Sequence, residues 1–195
     1  MKQIELVWRE LLYQAIEQKN NTFRQDHLAV KLECSVSTVN HALNPLRGLG
    51  IVHIGKRHSY LADGQRLLFY FATRRNLQKD IIYSTYSDLP VLEREGLMPA
   101  GVIATAYSAC RMYFSISPAD YDNIYFYSQD VQKIESRFPK NNKRAPNIFI
   151  LKPDKLLFQY KIIPLSQVFA DLWNLPEWYA KDFYESLLVN IKNKL

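Results

Sequence analysis

Cysteine is scarce in this 195-residue chain: Cys34 and Cys110 are the only two, 76 positions apart, and neither belongs to a CxxC or Cys/His spacing. That speaks against a disulfide framework and against a zinc site, and it fits a reducing cytoplasm. Glycine is scarce as well, six in all, and none falls in a GxGxxG, GxSxG or GxxxxGK[ST] pattern; HExxH is missing too. The common phosphate-cradling, nucleophile-elbow and zinc-protease motifs are therefore not present. No apolar run approaches the roughly 20 residues of a membrane span. The opening MKQIELVWRE carries Glu5, Arg9 and Glu10 where a signal peptide needs an unbroken apolar core, so neither secretion nor membrane association is expected. Acidic side chains are in deficit, 19 against 25 Lys and Arg, and the net charge of +6 favours an anionic partner. What is present is the 48% hydrophobic and 23% charged composition of an ordinary folded protein, enough for one medium domain or two small ones.

The first third has a helical period. Ile4, Val7, Trp8, Leu11, Leu12, Ala15 and Ile16 lay one stripe along a helix over residues 4–16. After Lys19-Asn20-Asn21, Thr22 is placed to cap a second helix running to about Leu32. A tight connection, Glu33-Cys34-Ser35, leads to a third helix capped by Ser35 or Ser37 and running towards Arg47. Val36, Val39, Leu43 and Leu46 form its expected inward face, and Ser37, Thr38, Asn40, His41 and Asn44 point outward. Pro45 removes one backbone donor and should bend this helix around His41 to Asn44. Gly48 and Gly50 end it, residues 51–54 read as a strand, Gly55-Lys56-Arg57-His58 as a turn, and residues 59–61 as the return strand.

Three helices followed by a cationic β-wing describe a winged helix-turn-helix domain over residues 1–62. In that arrangement the third helix enters the major groove and the wing reaches phosphate. The expected contacts to double-stranded DNA are Ser35, Ser37, Thr38, Asn40, His41 and Asn44 on the helix, with Lys56 and Arg57 on the wing. Over residues 4–62, and most specifically in SVSTVNHALNPLRGLGIV, the sequence resembles the winged-helix transcription regulators of prokaryotes. His27, His53 and His58 are read as isolated histidines, not as metal ligands.

Residues 63–80 read as a linker helix, Gln65 to about Lys79, with Leu67, Leu68, Phe71 and Ala72 inward and Arg74 and Arg75 in helix-terminal or ion-pairing roles, a phosphate contact being the alternative. Residues 81–195 then read as a separate α/β domain. Strands are expected at 81–85, 123–127, 147–151 and 160–163, and helices over 102–114, around Val131 and Ile134, from Pro164 to Asn174, and from Pro176 to the end. The whole is α/β in class, α+β overall. The stretches TAYSACRMYF, NIYFYS, NIFIL and PLSQVFADLWNLPEWYAKDF resemble the carboxy-terminal part of AbiEi-type antitoxins and transcription regulators.

That resemblance implies a small nucleotidyltransferase-like domain with carboxy-terminal helices, and a DNA-binding regulator often encoded beside a toxin-like partner. Active nucleotidyltransferases need a Gly-Ser turn for the phosphates and paired carboxylates for metal ions. Asp120-Tyr121-Asp122 has the carboxylate spacing, but Ala106-Tyr107-Ser108 stands where Gly-Ser would, and Asp154 is a weak third carboxylate in a turn after Pro153. The expectation is a non-enzymatic, homodimeric regulator without cofactor or metal, its second domain serving dimerisation, a protein partner or ligand sensing. The alternative is a metal-dependent nucleotidyltransferase acting on a nucleotide or nucleic acid. Arg137, Lys140, Lys143 and Arg144 form a further basic loop, read as a solvated tip.

Overall fold

The spacing that predicts one apolar stripe on the first helix understates its burial. In the computed structural model, which describes residues 1–55 and 58–195, α1 (Gln3–Ile16) is buried nearly all round, and its interior includes Glu5, Arg9 and Glu10. Charged groups in such a place need partners: Arg9 and Glu10 find theirs in distant parts of the chain, at Asp154, Gln167, Lys31 and Tyr160, while Glu5 accepts the local Lys2 N–H. The helix α2 (Gln25–Lys31) and the helix α3 (Val36–Gly48) pack on each other, and α3 also lies against α1.

Thr22 does not cap α2. Thr22–Phe23 forms a short strand, β1, because a paired edge stands beside it: β3 (Ser59–Leu61), which also pairs with β2 (Val52–Ile54). The antiparallel sheet has the order β1-β3-β2, with Thr22 opposite Tyr60 and His53 opposite the same residue. Phe23 turns inward, and Arg24 takes the position before α2. The helix α3 continues through Pro45 to Gly48.

The expected linker helix is shorter than its pattern. α4 (Gly64–Arg74) is capped by Asp63, whose carboxylate accepts from the Arg66 backbone N–H at 2.8 Å, and it ends where Arg75 turns to extended backbone; a single 3-10 turn, Leu77–Asp80, follows. α4 rests on α1 and on a later helix, α8 (Leu165–Trp173), so the buried apolar side chains run continuously from α1 to the last helix.

A mixed four-stranded sheet occupies the second half: β4 (Ile81–Thr85), β5 (Ile103–Thr105), β6 (Ile124–Tyr127) and β7 (Ile148–Leu151), in the order β4-β7-β6-β5. Only β6 and β7 are parallel, and they are joined through α7 (Val131–Arg137). The helix expected over 102–114 begins only at Ala106, as α6 (Ala106–Phe114), since residues 103–105 pair with Tyr127 to Tyr125. A short α5 (Val91–Gly96) was not anticipated. The segment 160–163 is not a strand; a 3-10 turn at Leu157–Gln159 precedes it. The last helix, α9, spans Ala180–Lys192 and so begins four residues after Pro176. α8 lies among α1, α4, α6 and α9, which is why nearly all of it is buried.

Candidate nucleic-acid interface

The start of α3 is set by Ser35. Its hydroxyl accepts the Thr38 backbone N–H at 3.0 Å, which satisfies one of the free amides of the first turn. The Ser35 and Thr38 hydroxyls also share a hydrogen bond of 2.9 Å, so Thr38, itself half-buried, spends part of its bonding capacity locally. Beneath the helix, Val39, Ala42, Leu43 and Leu46 are buried, and the Trp8 indole Nε1 donates to the Ala42 carbonyl at 2.9 Å. Ser35, Ser37, Asn40, His41 and Asn44 are exposed. Ser37, Asn40 or His41, and Asn44 lie three or four positions apart, which places them along one face of the helix.

Val36 departs from expectation. It is 49% exposed, and Ala42 fills the inward position instead. On α2, Val30 is 80% exposed. In the connection between the two helices Glu33 adopts φ 48°, a left-handed conformation, and its carboxylate accepts from Lys155 Nζ at 2.8 Å. Lys56 and Arg57 lie outside the described residues. The strands flanking them close through a 3.1 Å bond from the Gly55 N–H to the His58 carbonyl.

The far end of the α3 stripe opens into a cleft. His41 and Asn44 line it with Trp8, Tyr70, Lys2 and Arg74. Lys2 is not among the residues expected at this surface; Arg74 is read from the sequence as a helix-terminal cation with a phosphate contact as the alternative, but nothing there shows that α4 comes up beside α3. The Arg74 guanidinium lies 5.2 Å from the centroid of the Tyr70 ring, and the Tyr70 ring meets Trp8 edge-on at 5.1 Å.

Arg75, one residue on, has the opposite environment. It is buried, with Nε 3.1 Å from Asp171 and Nη1 2.5 Å from Asp80. Asp171 also accepts from Thr105 at 2.7 Å, Tyr127 at 2.6 Å and Gln167 at 2.9 Å. Gln167 continues the network to Arg9, whose guanidinium is paired bidentately with Asp154 at 2.6 and 2.8 Å. Burial pushes the Asp154 carboxyl up, but the Arg9 partner outweighs it and holds the group below the ordinary carboxylate range.

The carboxylates considered for catalysis have different surroundings. Asp154 is engaged by Arg9, Asp122 is paired with the buried Arg94 and lies 3.4 Å from the Asn147 amide nitrogen, and Asp120 is exposed. At the junction where glycine was missing, Ala106 itself adopts φ 50°. Among the described residues no group of three or more His, Cys, Asp and Glu side chains is placed to hold a metal ion. In the basic loop, Arg137 donates to the Leu97 carbonyl, Lys140 to the Ser84 carbonyl and Arg144 to the Tyr86 hydroxyl, so three of its cations have intramolecular partners. No family model, curated protein or solved structure matches this chain.

Proposed function

We propose that the chain is a DNA-binding transcriptional regulator whose residues 1–62 act as a winged helix, with α3 as the element that reads the major groove. One observation carries the reading: α3 has a capped start, four buried residues on its inner side and an exposed stripe of Ser37, Asn40, His41 and Asn44 on its outer side. Short amide and hydroxyl side chains on a rigid helix suit base edges, Asn to adenine above all. Lys56 and Arg57 supply phosphate contacts from the wing. A homodimer on a symmetric site supplies the specificity that one short helix lacks. In its narrower form, drawn from the resemblance to AbiEi-type proteins, the regulator is the autorepressor of a toxin-antitoxin pair, and the nucleotidyltransferase-like second half binds a protein partner. Asp120 and Asp122 have no catalytic part in this reading, which the pairing of Asp122 with the Arg94 guanidinium supports.

The test is selection of a preferred duplex from a random pool, followed by titration of that duplex and of a random one. Asn40→Ala is expected to weaken the selected duplex by roughly 10- to 100-fold, about 1–3 kcal/mol, and the random one far less. Lys56→Ala/Arg57→Ala is expected to flatten the salt dependence by about two units on both. Equal loss on both duplexes in Asn40→Ala overturns base reading by α3.

A further inference from the structure

We infer that the cleft between the start of α1, the second half of α3 and the end of α4 is a phosphate seat: it takes a backbone phosphate of the same duplex between Lys2 and Arg74. The inference rests on the DNA-binding reading and adds a contact that the helix and wing do not supply.

The cleft has a volume of about 510 Å³, larger than a phosphate group needs, and it is open to solvent. Its cations are Lys2 and Arg74, both exposed, and neither has an ion-pair partner among the described residues. Its one carboxylate, Glu5, is buried and accepts the Lys2 backbone N–H at 3.1 Å as the cap of α1, so two exposed cations face one buried carboxylate in the cleft. The contrast with Arg75 is informative. One arginine is satisfied by two aspartates, and its neighbour has none among the described residues.

Arg74 is also held in place. Tyr70 carries the guanidinium over its ring face, and Tyr70 is fixed edge-on against Trp8, whose own N–H is bonded to α3. Among the described residues the Arg74 guanidinium has no hydrogen-bond or ion-pair partner beyond the Tyr70 ring, so its N–H groups remain to meet phosphate oxygens. Position completes the argument. The Ser37–Asn40–His41–Asn44 stripe runs from the capped start of α3 into this cleft, so a duplex laid along the stripe brings its backbone to Lys2 and Arg74. His41 and Asn44 then sit at the phosphate margin, as side-chain donors that fix register, while Ser37 and Asn40 remain nearer the base edges.

The test uses the full chain in a salt series on a selected and a random duplex. Lys2→Ala/Arg74→Ala is expected to flatten the log-affinity against log-salt slope by about two units and to weaken both duplexes alike. Lys2→Ala alone leaves the Tyr70 stack intact and is expected to remove about one unit. Arg74→Lys, which keeps the charge, is expected to retain the slope while lowering affinity. Lys181→Ala on α9 is expected to change nothing, and an equal flattening there marks a bulk charge effect and overturns the seat. An unchanged slope in the double variant, with parent protein that binds duplex, overturns the seat alone. Parent protein that binds no duplex overturns the DNA-binding reading together with the seat.

Discussion

Arg74 and Arg75 are neighbours in the chain and opposites in the structure. Arg74 lies on the surface over an aromatic ring; Arg75 lies under it, tied to Asp171, Asp80 and the Tyr127 hydroxyl. The same division runs through the whole molecule. The polar groups of α3 are exposed with few partners, whereas the polar groups between α1, α4, α8 and the mixed sheet are buried and connected to one another. An exposed group with spare bonding capacity can meet a ligand at small cost. A buried group whose capacity is spent holds elements together, and its removal leaves its partners stranded. What separates the two sets is environment, not residue type.

The sharpest way to break that comparison is to remove the centre of the buried set. Asp171→Ala strands Thr105, Tyr127 and Gln167 and takes one of the two carboxylates from Arg75. The expected loss is about 3–5 kcal/mol, the range for an uncoupled buried charge pair, read as a lower denaturant midpoint. Asn40→Ala, on the exposed set, is expected to stay within about 0.5 kcal/mol of the parent in the same experiment. If Asp171→Ala costs no more than Asn40→Ala, the network contributes little and the distinction fails.

A pH series separates the sets in a second way. The folded Asp154 carboxyl is held below its unfolded value by Arg9, so its contribution is present above the unfolded value of about 3.9 and is lost as pH falls through the folded one. Asp154→Asn is therefore expected to be clearly less stable than the parent at neutral pH, and the gap should close progressively below about pH 4. A gap that stays constant to pH 2 in chemical denaturation shows that the pair does not titrate as the geometry requires.

Much of the surface set is legible in the sequence, because it depends on local rules. Ser35 followed by Thr38 announces a cap, and the three- and four-residue gaps from Val39 to Leu46 announce which side of α3 faces inward. Val36 misleads because its spacing puts it on the same side of α3 as Leu43, yet in the first turn it stays 49% exposed while Leu43 is buried. The buried set is barely legible, because most of its bonds join distant segments: Arg9 to Asp154, Arg75 to Asp171, Gln167 to Tyr127. One signal does exist. Gln167 and Asp171 stand four apart on the otherwise apolar PLSQVFADLW helix, a spacing that puts two polar side chains on one face of a buried element. β1 and β5 illustrate the same limit. Two- and three-residue strands become strands through their neighbours, β3 and β6, and the residues alone read as helix starts. α1 shows the converse: its apolar stripe is legible, but that α4 and α8 cover the remaining sides is not.

The smallest effect comes from the point where fold and candidate surface meet. Ser35 is counted among the exposed residues of the interface, yet its hydroxyl is committed to the Thr38 N–H at 3.0 Å and to the Thr38 hydroxyl at 2.9 Å. Ser35→Ala is expected to cost about 1 kcal/mol of stability through the lost cap, and to loosen the first turn of α3. Ser35→Asp, which can accept the same amide, restores the cap but adds a negative charge at the proposed DNA surface. The two variants therefore divide the roles of one side chain. If Ser35 acts as a cap, Ser35→Asp recovers the denaturant midpoint while duplex affinity falls below that of Ser35→Ala. If both variants lose the same stability, the Thr38 amide does not depend on this oxygen, and Ser35 belongs with the exposed set alone.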